Sequence, residues 1–158
     1  MLFISHSAEE TKKFAKQVLA QLKPESKQAT ILALQGDLGA GKTAFTQGLA
    51  HELGIKHHLA SPTFVIAKKY HIAPKCAEKF GFKQLIHFDF YRLQCAEDLL
   101  TLGWADLATE PQNLIVVEWP EQVGEEIFKQ AKLIEFFHLT ENERKIKVKW
   151  LKKNIKIN

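Results

Sequence analysis

The chain has 158 residues, 46% of them hydrophobic and 25% charged, a composition that excludes a disordered or fibrous protein and suits one globular core. A formal net charge of +4, with a pI of about 9.0, permits an acidic or nucleic-acid partner without requiring one. No apolar run approaches the ~20 residues of a bilayer helix, "MLFISHSAEE" lacks the features of a signal peptide, and Cys76 and Cys95 have no C-x-x-C partner, so the expectation is a single cytoplasmic domain over 1–158 with reduced thiols and no membrane association.

Taken in order, Ser7-Ala8-Glu9-Glu10 reads as a capping box, and Phe14, Val18, Leu19 and Leu22 continue a helical face towards Pro24. Thr30 to Leu34 is a short apolar run that predicts a buried strand. Next comes Gly36-Asp37-Leu38-Gly39-Ala40-Gly41-Lys42-Thr43, and then a helix with Phe45, Leu49 and Leu53 on one face and Gly54 as its stop. Phe64 to Tyr70 predicts a strand with Lys68-Lys69 at a wetted end, whereas 71–84, with Pro74 and Gly81, reads as irregular. Leu85 to Tyr91 is an aromatic strand, Ala96 to Leu102 a short helix ending at Gly103, and Leu114 to Trp119 a buried strand stopped by Pro120. Two further strands flank Glu141-Asn142-Glu143 as a hairpin. The fold class expected is α/β, a P-loop NTPase-like mixed β-sheet with flanking helices and a C-terminal antiparallel hairpin.

The segment Gly36–Thr43 fits G-x-x-x-x-G-K-[ST] with a strand before it and a helix after it, the context such a loop requires. Its backbone N–H groups must turn inward around phosphate oxygens, an approach that Cβ atoms would obstruct. Lys42 then reaches the β/γ oxygens, and the Thr43 hydroxyl can ligate Mg²⁺. Glu118 closes the apolar run Leu114–Val117 at the carboxyl end of its strand, where an α/β sheet faces its ligand. That is the Walker B position, with Glu where Asp is commoner. In "HFDFYR", alternation places His87, Asp89 and Tyr91 on one strand face, and Asp89 there would orient an attacking water. Ser61 and Thr63, in "SPTF" after the P-loop helix, are placed to sense a γ-phosphate as switch loops do. His57 and His58 lack a third ligand at metal-binding spacing.

Three rival readings use the same residues. A small-molecule kinase shares the loop but commonly clamps phosphate with several arginines, and this chain has only Arg92 and Arg144. A GTPase lacks its Asn-Lys-x-Asp segment here. An RNA-binding module would rest on "RKIKVKWLKKNIK", where Lys145, Lys147 and Lys149 share one face and Ile146, Val148 and Trp150 the other; a lysine-protected edge strand gives the same pattern.

"GDLGAGKT", "SPTF", "HFDFYR" and "VVEWPE", in this order, resemble the TsaE family of bacterial P-loop ATPases, with a match from Ser7 to about Glu121. The resemblance implies a part in making threonylcarbamoyladenosine beside the anticodon of tRNA. It implies ATP or ADP as cofactor, held by Gly36, Asp37, Leu38, Gly39, Ala40, Gly41, Lys42, Thr43 and Ala44, with Thr11 near the base or sugar. It implies Mg²⁺ on Thr43 and Glu118, and Lys42, Asp89 and Glu118 in hydrolysis. Trp119 would matter without touching phosphate. The implied partners are TsaD and TsaB, with tRNA met indirectly or weakly. The resemblance implies that ATP hydrolysis resets the partner complex; with only Arg92 and Arg144 available in cis, a weak ATPase is expected of the chain alone, a monomer when isolated.

Overall fold

The computed structural model describes residues 1–56, 59–62, 65–124 and 131–150. In chain order it forms β1 (Leu2–Ser5), α1 (Ala8–Leu19), β2 (Thr30–Gly36), α2 (Lys42–Glu52), β3 (Ala67–His71), α3 (Pro74–Phe80) and β4 (Gln84–Asp89). A 3-10 helix at Ala96–Leu102, α4 (Trp104–Thr109), β5 (Asn113–Glu118), a 3-10 turn at Pro120–Val123, β6 (Lys132–His138) and β7 (Arg144–Val148) follow. The strands make one seven-stranded sheet in the order β1-β7-β6-β2-β5-β4-β3. β2 runs parallel to β5 and β6, and β4 parallel to β5. Antiparallel strands close both sides, β3 on β4 and the β1-β7-β6 ribbon.

The two strands with unbroken apolar runs occupy the centre, as parallel strands covered on both faces do. All six residues of β5 and the first five of β2 are buried. One face packs Leu32, Leu34, Leu114 and Val116 against Phe14 and Val18 of α1 and Phe45 and Leu49 of α2. The other packs Ile31, Ile115, Val117 and Phe88 against Leu99, Trp104 and Leu107. α1 begins as its cap predicts, the Glu10 N–H donating to Ser7 Oγ at 3.1 Å, but the Glu10 carboxylate accepts from the His6 N–H rather than from Ser7. Gly48, inside α2, marks where the two helices cross: a Cβ there would lie 2.4 Å from the Lys12 carbonyl oxygen. No helix among the described residues is long and apolar enough to cross a membrane.

Several expectations need correction. Residues 71–84 are not irregular: β3 extends to His71, and Pro74 and Gly81 are the start and stop signals of α3, with Gly81 at φ +82. The segment Ala96–Leu102 is helical but 3-10, and α4 directly after Gly103 is not foreseen. β7 is not an edge strand, because β1 pairs with it from Leu2↔Lys147 to Ser5↔Arg144; lysines guarding an exposed β7 edge therefore do not account for its pattern. Ile146 and Val148 do turn inward, and Lys147 is exposed. The predicted strand start at Phe64 lies outside the described residues.

Candidate functional site

The site forms where β2 ends and α2 begins. Gly36, Gly39 and Gly41 all take positive φ (+146, +76 and +106), so the loop uses its glycines for backbone conformations that side chains resist. Gly41 caps α2 and has no side chain to bond the helix's first N–H groups, the kind of helix start that suits an anion. Leu38 stands at the exposed tip, its carbonyl 3.0 Å from His138 Nε2.

Lys42 is 4% exposed and folds back on its own loop, where Nζ donates to the Gly36 carbonyl at 2.5 Å and the Asp37 carbonyl at 2.9 Å. The ammonium also sits 3.9 Å from the centre of the Trp119 ring. Burial holds Lys42 below the ordinary lysine range, against the opposing pull of Glu118, Glu121, Asp89 and Asp37. Burial pushes Glu121 up in turn.

Thr43 donates its hydroxyl to Glu118, with both carboxylate oxygens at 3.0 Å. Strand pairing sets this meeting: β5 lies between β2 and β4, and Glu118 stands opposite Leu34 on one side and Asp89 on the other. His87 reaches the same carboxylate from β4, Nε2 to Oε1 at 2.8 Å. Asp89 is buried; it accepts from the Ser61 hydroxyl through Oδ2 and from the Tyr91 N–H at 3.0 Å through Oδ1. A cleft of about 290 Å³ is lined by Lys42, Thr43, Ser61, Asp89, Glu118 and Trp119, among others. Trp119 in the lining and Ile66, whose carbonyl accepts from the Asp89 N–H at 2.9 Å, have φ of +58 and +64, the kind of stored strain that functional sites tolerate.

Lys42, Thr43, Ser61, Asp89 and Glu118 are thus brought to one cleft, while Thr63 lies outside the described residues. Thr11 is behind the loop: it is buried, 2.8 Å from the Ser5 hydroxyl, and would meet a Cβ on Gly41 at 3.7 Å. The shared strand face of His87, Asp89 and Tyr91 is corrected in part. β4 ends at Asp89, and Tyr91 is 51% exposed and turns to Trp119 at 5.1 Å between ring centroids. The sequence reading missed Trp119 over Lys42, Glu121 near it, and His87 on Glu118. Period-2 alternation places His87 on the face of Asp89, but its partner depends on strand register.

Among the described residues no group of three or more His, Cys, Asp or Glu converges as a metal site. The hydroxyl of Thr43 and the carboxylate of Glu118 are one pair of hard oxygens in the cleft, beside that of Ser61 and Asp89, and at the end of the glycine loop they suit Mg²⁺ sharing its shell with phosphate and water.

Loop, sheet and carboxyl-end cleft define a P-loop α/β protein. The family model "Threonylcarbamoyl adenosine biosynthesis protein TsaE" matches residues 5–146. The chain is 34% identical over 148 residues to the tRNA threonylcarbamoyladenosine biosynthesis protein TsaE of Treponema pallidum, covering 94% of this chain and 99% of that one. It is 37% identical over 138 residues to the Bacillus subtilis protein of the same name, covering 87% and 78%. The crystal structure of Bacillus subtilis YdiB superposes with a TM-score of 0.67 at 31% identity, over 92% of this chain and 82% of that one. The chain belongs to the TsaE family.

Proposed function

We propose that the chain binds ATP with Mg²⁺ in this cleft, hydrolyses it slowly on its own, and thereby resets a TsaB–TsaD complex that forms threonylcarbamoyladenosine on tRNA. The observation that carries the reading is Thr43 meeting Glu118 beside the glycine loop, a hydroxyl and a carboxylate where a phosphate-bound cation needs them. When bound, the metal supplies positive charge against the phosphate oxygens. The loop amides and the N-terminus of α2 hold the anion in place. Lys42 leaves the Gly36 and Asp37 carbonyls to meet it, exchanging neutral acceptors for a charged one. Asp89, fixed by Ser61 and the Tyr91 N–H, orients the attacking water and accepts its proton.

No arginine lines the cleft among the described residues, which weighs against a kinase that clamps phosphate with a cationic lid. The test is phosphate release from MgATP by the chain alone, then with TsaB–TsaD, with and without tRNA. Asp89→Asn should cut release at least ~100-fold, in the range of a lost general base, while leaving MgADP binding intact. Wild-type release by that variant would remove Asp89 from the reaction.

A further inference from the structure

His87 is a buried histidine with one polar partner among the described residues. Its side chain is fully buried in the middle of β4, opposite Val116 of β5. Nε2 lies 2.8 Å from Glu118 Oε1, and a carboxylate only accepts, so the ring nitrogen donates. Nδ1 is also buried and has no hydrogen-bond partner among the described residues. A histidine that leaves half of its polar capacity unused in the core is a poor choice for packing, since an aliphatic side chain would fill the same strand position without that cost. What His87 does that a leucine cannot is hold Glu118.

Glu118 needs holding. Its side chain has one more rotatable bond than the aspartate commoner at such a strand end, and freezing that bond has an entropic cost. Thr43 alone would fix the carboxylate from one side through a hydroxyl that must itself turn to a cation. We infer that His87 is a positioning residue that locks the Glu118 carboxylate, through Nε2, in the orientation that faces Thr43. The cation site is then preformed before nucleotide arrives. Outer-shell donors to metal-ligating groups commonly change metal affinity 10–100-fold when removed.

This inference rests on the proposed Mg²⁺–nucleotide reading of the cleft, and the test separates the two. MgADP binding is followed by calorimetry across a Mg²⁺ series, with no turnover involved. The wild-type chain should show Mg²⁺-dependent binding; Mg²⁺-independent affinity would overturn the cleft reading and this inference with it. Given that dependence, His87→Leu should raise the Mg²⁺ concentration for half-maximal tightening about 10-fold, leaving metal-free ADP affinity unchanged. His87→Gln, whose amide nitrogen can take the place of Nε2, should restore it to within about threefold. In a Glu118→Gln background His87→Leu should add less than about twofold, because its effect passes through the carboxylate. Should His87→Leu fail to fold, His87→Asn serves: its shorter amide cannot reach Glu118 and should behave unlike His87→Gln. Equal Mg²⁺ dependence in the Gln variant and in the Leu or Asn variant, or an undiminished effect beside Glu118→Gln, would make His87 a packing residue.

Discussion

Lys42 holds the tension of the site in one side chain. A buried ammonium is costly, and two carbonyls and an indole face repay only part of it. Because burial lowers its pKa in the fold, the unfolded chain binds this proton more tightly. The cost is therefore fully present at neutral pH and fades as pH rises through the window below the ordinary lysine value of 10.5. Lys42→Met removes the charge and keeps the stem's volume. Its melting temperature at pH 7 should be no lower than the wild type's, and the gap should narrow as pH approaches 10. Nucleotide affinity should fall about 10–100-fold, the worth of one charge-assisted contact. Paired thermal melts at pH 7 and pH 10, with calorimetry at pH 7, check both halves; a clear loss of stability at pH 7 would assign Lys42 a structural role. Trp119 offers a second readout. Departure of the ammonium from 3.9 Å over its ring should change its emission on nucleotide binding, provided Trp104 and Trp150 are first replaced by Phe.

At the scale of elements, α1 and α2 cross at Gly48, and α1 carries Thr11 behind the glycine loop. Gly48→Ala should gain up to ~1 kcal/mol of helix propensity. The new Cβ, however, meets the Lys12 carbonyl oxygen at 2.4 Å and its Cα at 2.7 Å, both backbone atoms that cannot swing away. We expect a net loss of about 1–3 kcal/mol, read as a lower melting temperature, and weaker nucleotide binding, because α1 carries Thr11 against Gly41. An Ala variant as stable as the wild type would show that the helices can slide apart freely. The legibility of the sequence follows the same division. The glycine loop, β2, β5 and Glu118 could be read locally, since motif, apolar run and strand end are neighbours in the chain. Pro74 and Gly81 were legible as punctuation but carried no sign that a seven-residue helix lay between them. β1 is four residues long with Leu2 exposed, too short and too mixed for a periodicity. His87 on Glu118 and Trp119 on Lys42 depend on how distant strands and loops meet, which no local pattern states.

For the whole molecule the question is where the transition state finds its positive charge. A trans-acting arginine can contribute ~10³–10⁵ in phosphoryl transfer. Arg144 is placed at the start of β7, pairing in register with Ser5 and His138 and donating to the Glu141 carbonyl, away from the cleft lining. Arg92 is exposed beyond β4 and does not line the cleft either. Among the described residues Lys42 is then the cation that lines the cleft, and its ammonium is bonded to the loop's own carbonyls. The chain alone should therefore turn over ATP slowly, and TsaB–TsaD should raise the rate at least ~100-fold by supplying charge. Coupling between sites is reciprocal for binding, so a nucleotide that strengthens the association must itself bind more tightly to the complex, by the same factor. Two measurements test this together: steady-state phosphate release with and without the partners, and the partner dissociation constant with and without MgADP. Fast release by the isolated chain, unaltered by TsaB–TsaD, would mean that Lys42 and the loop amides suffice and that the cleft needs nothing from outside.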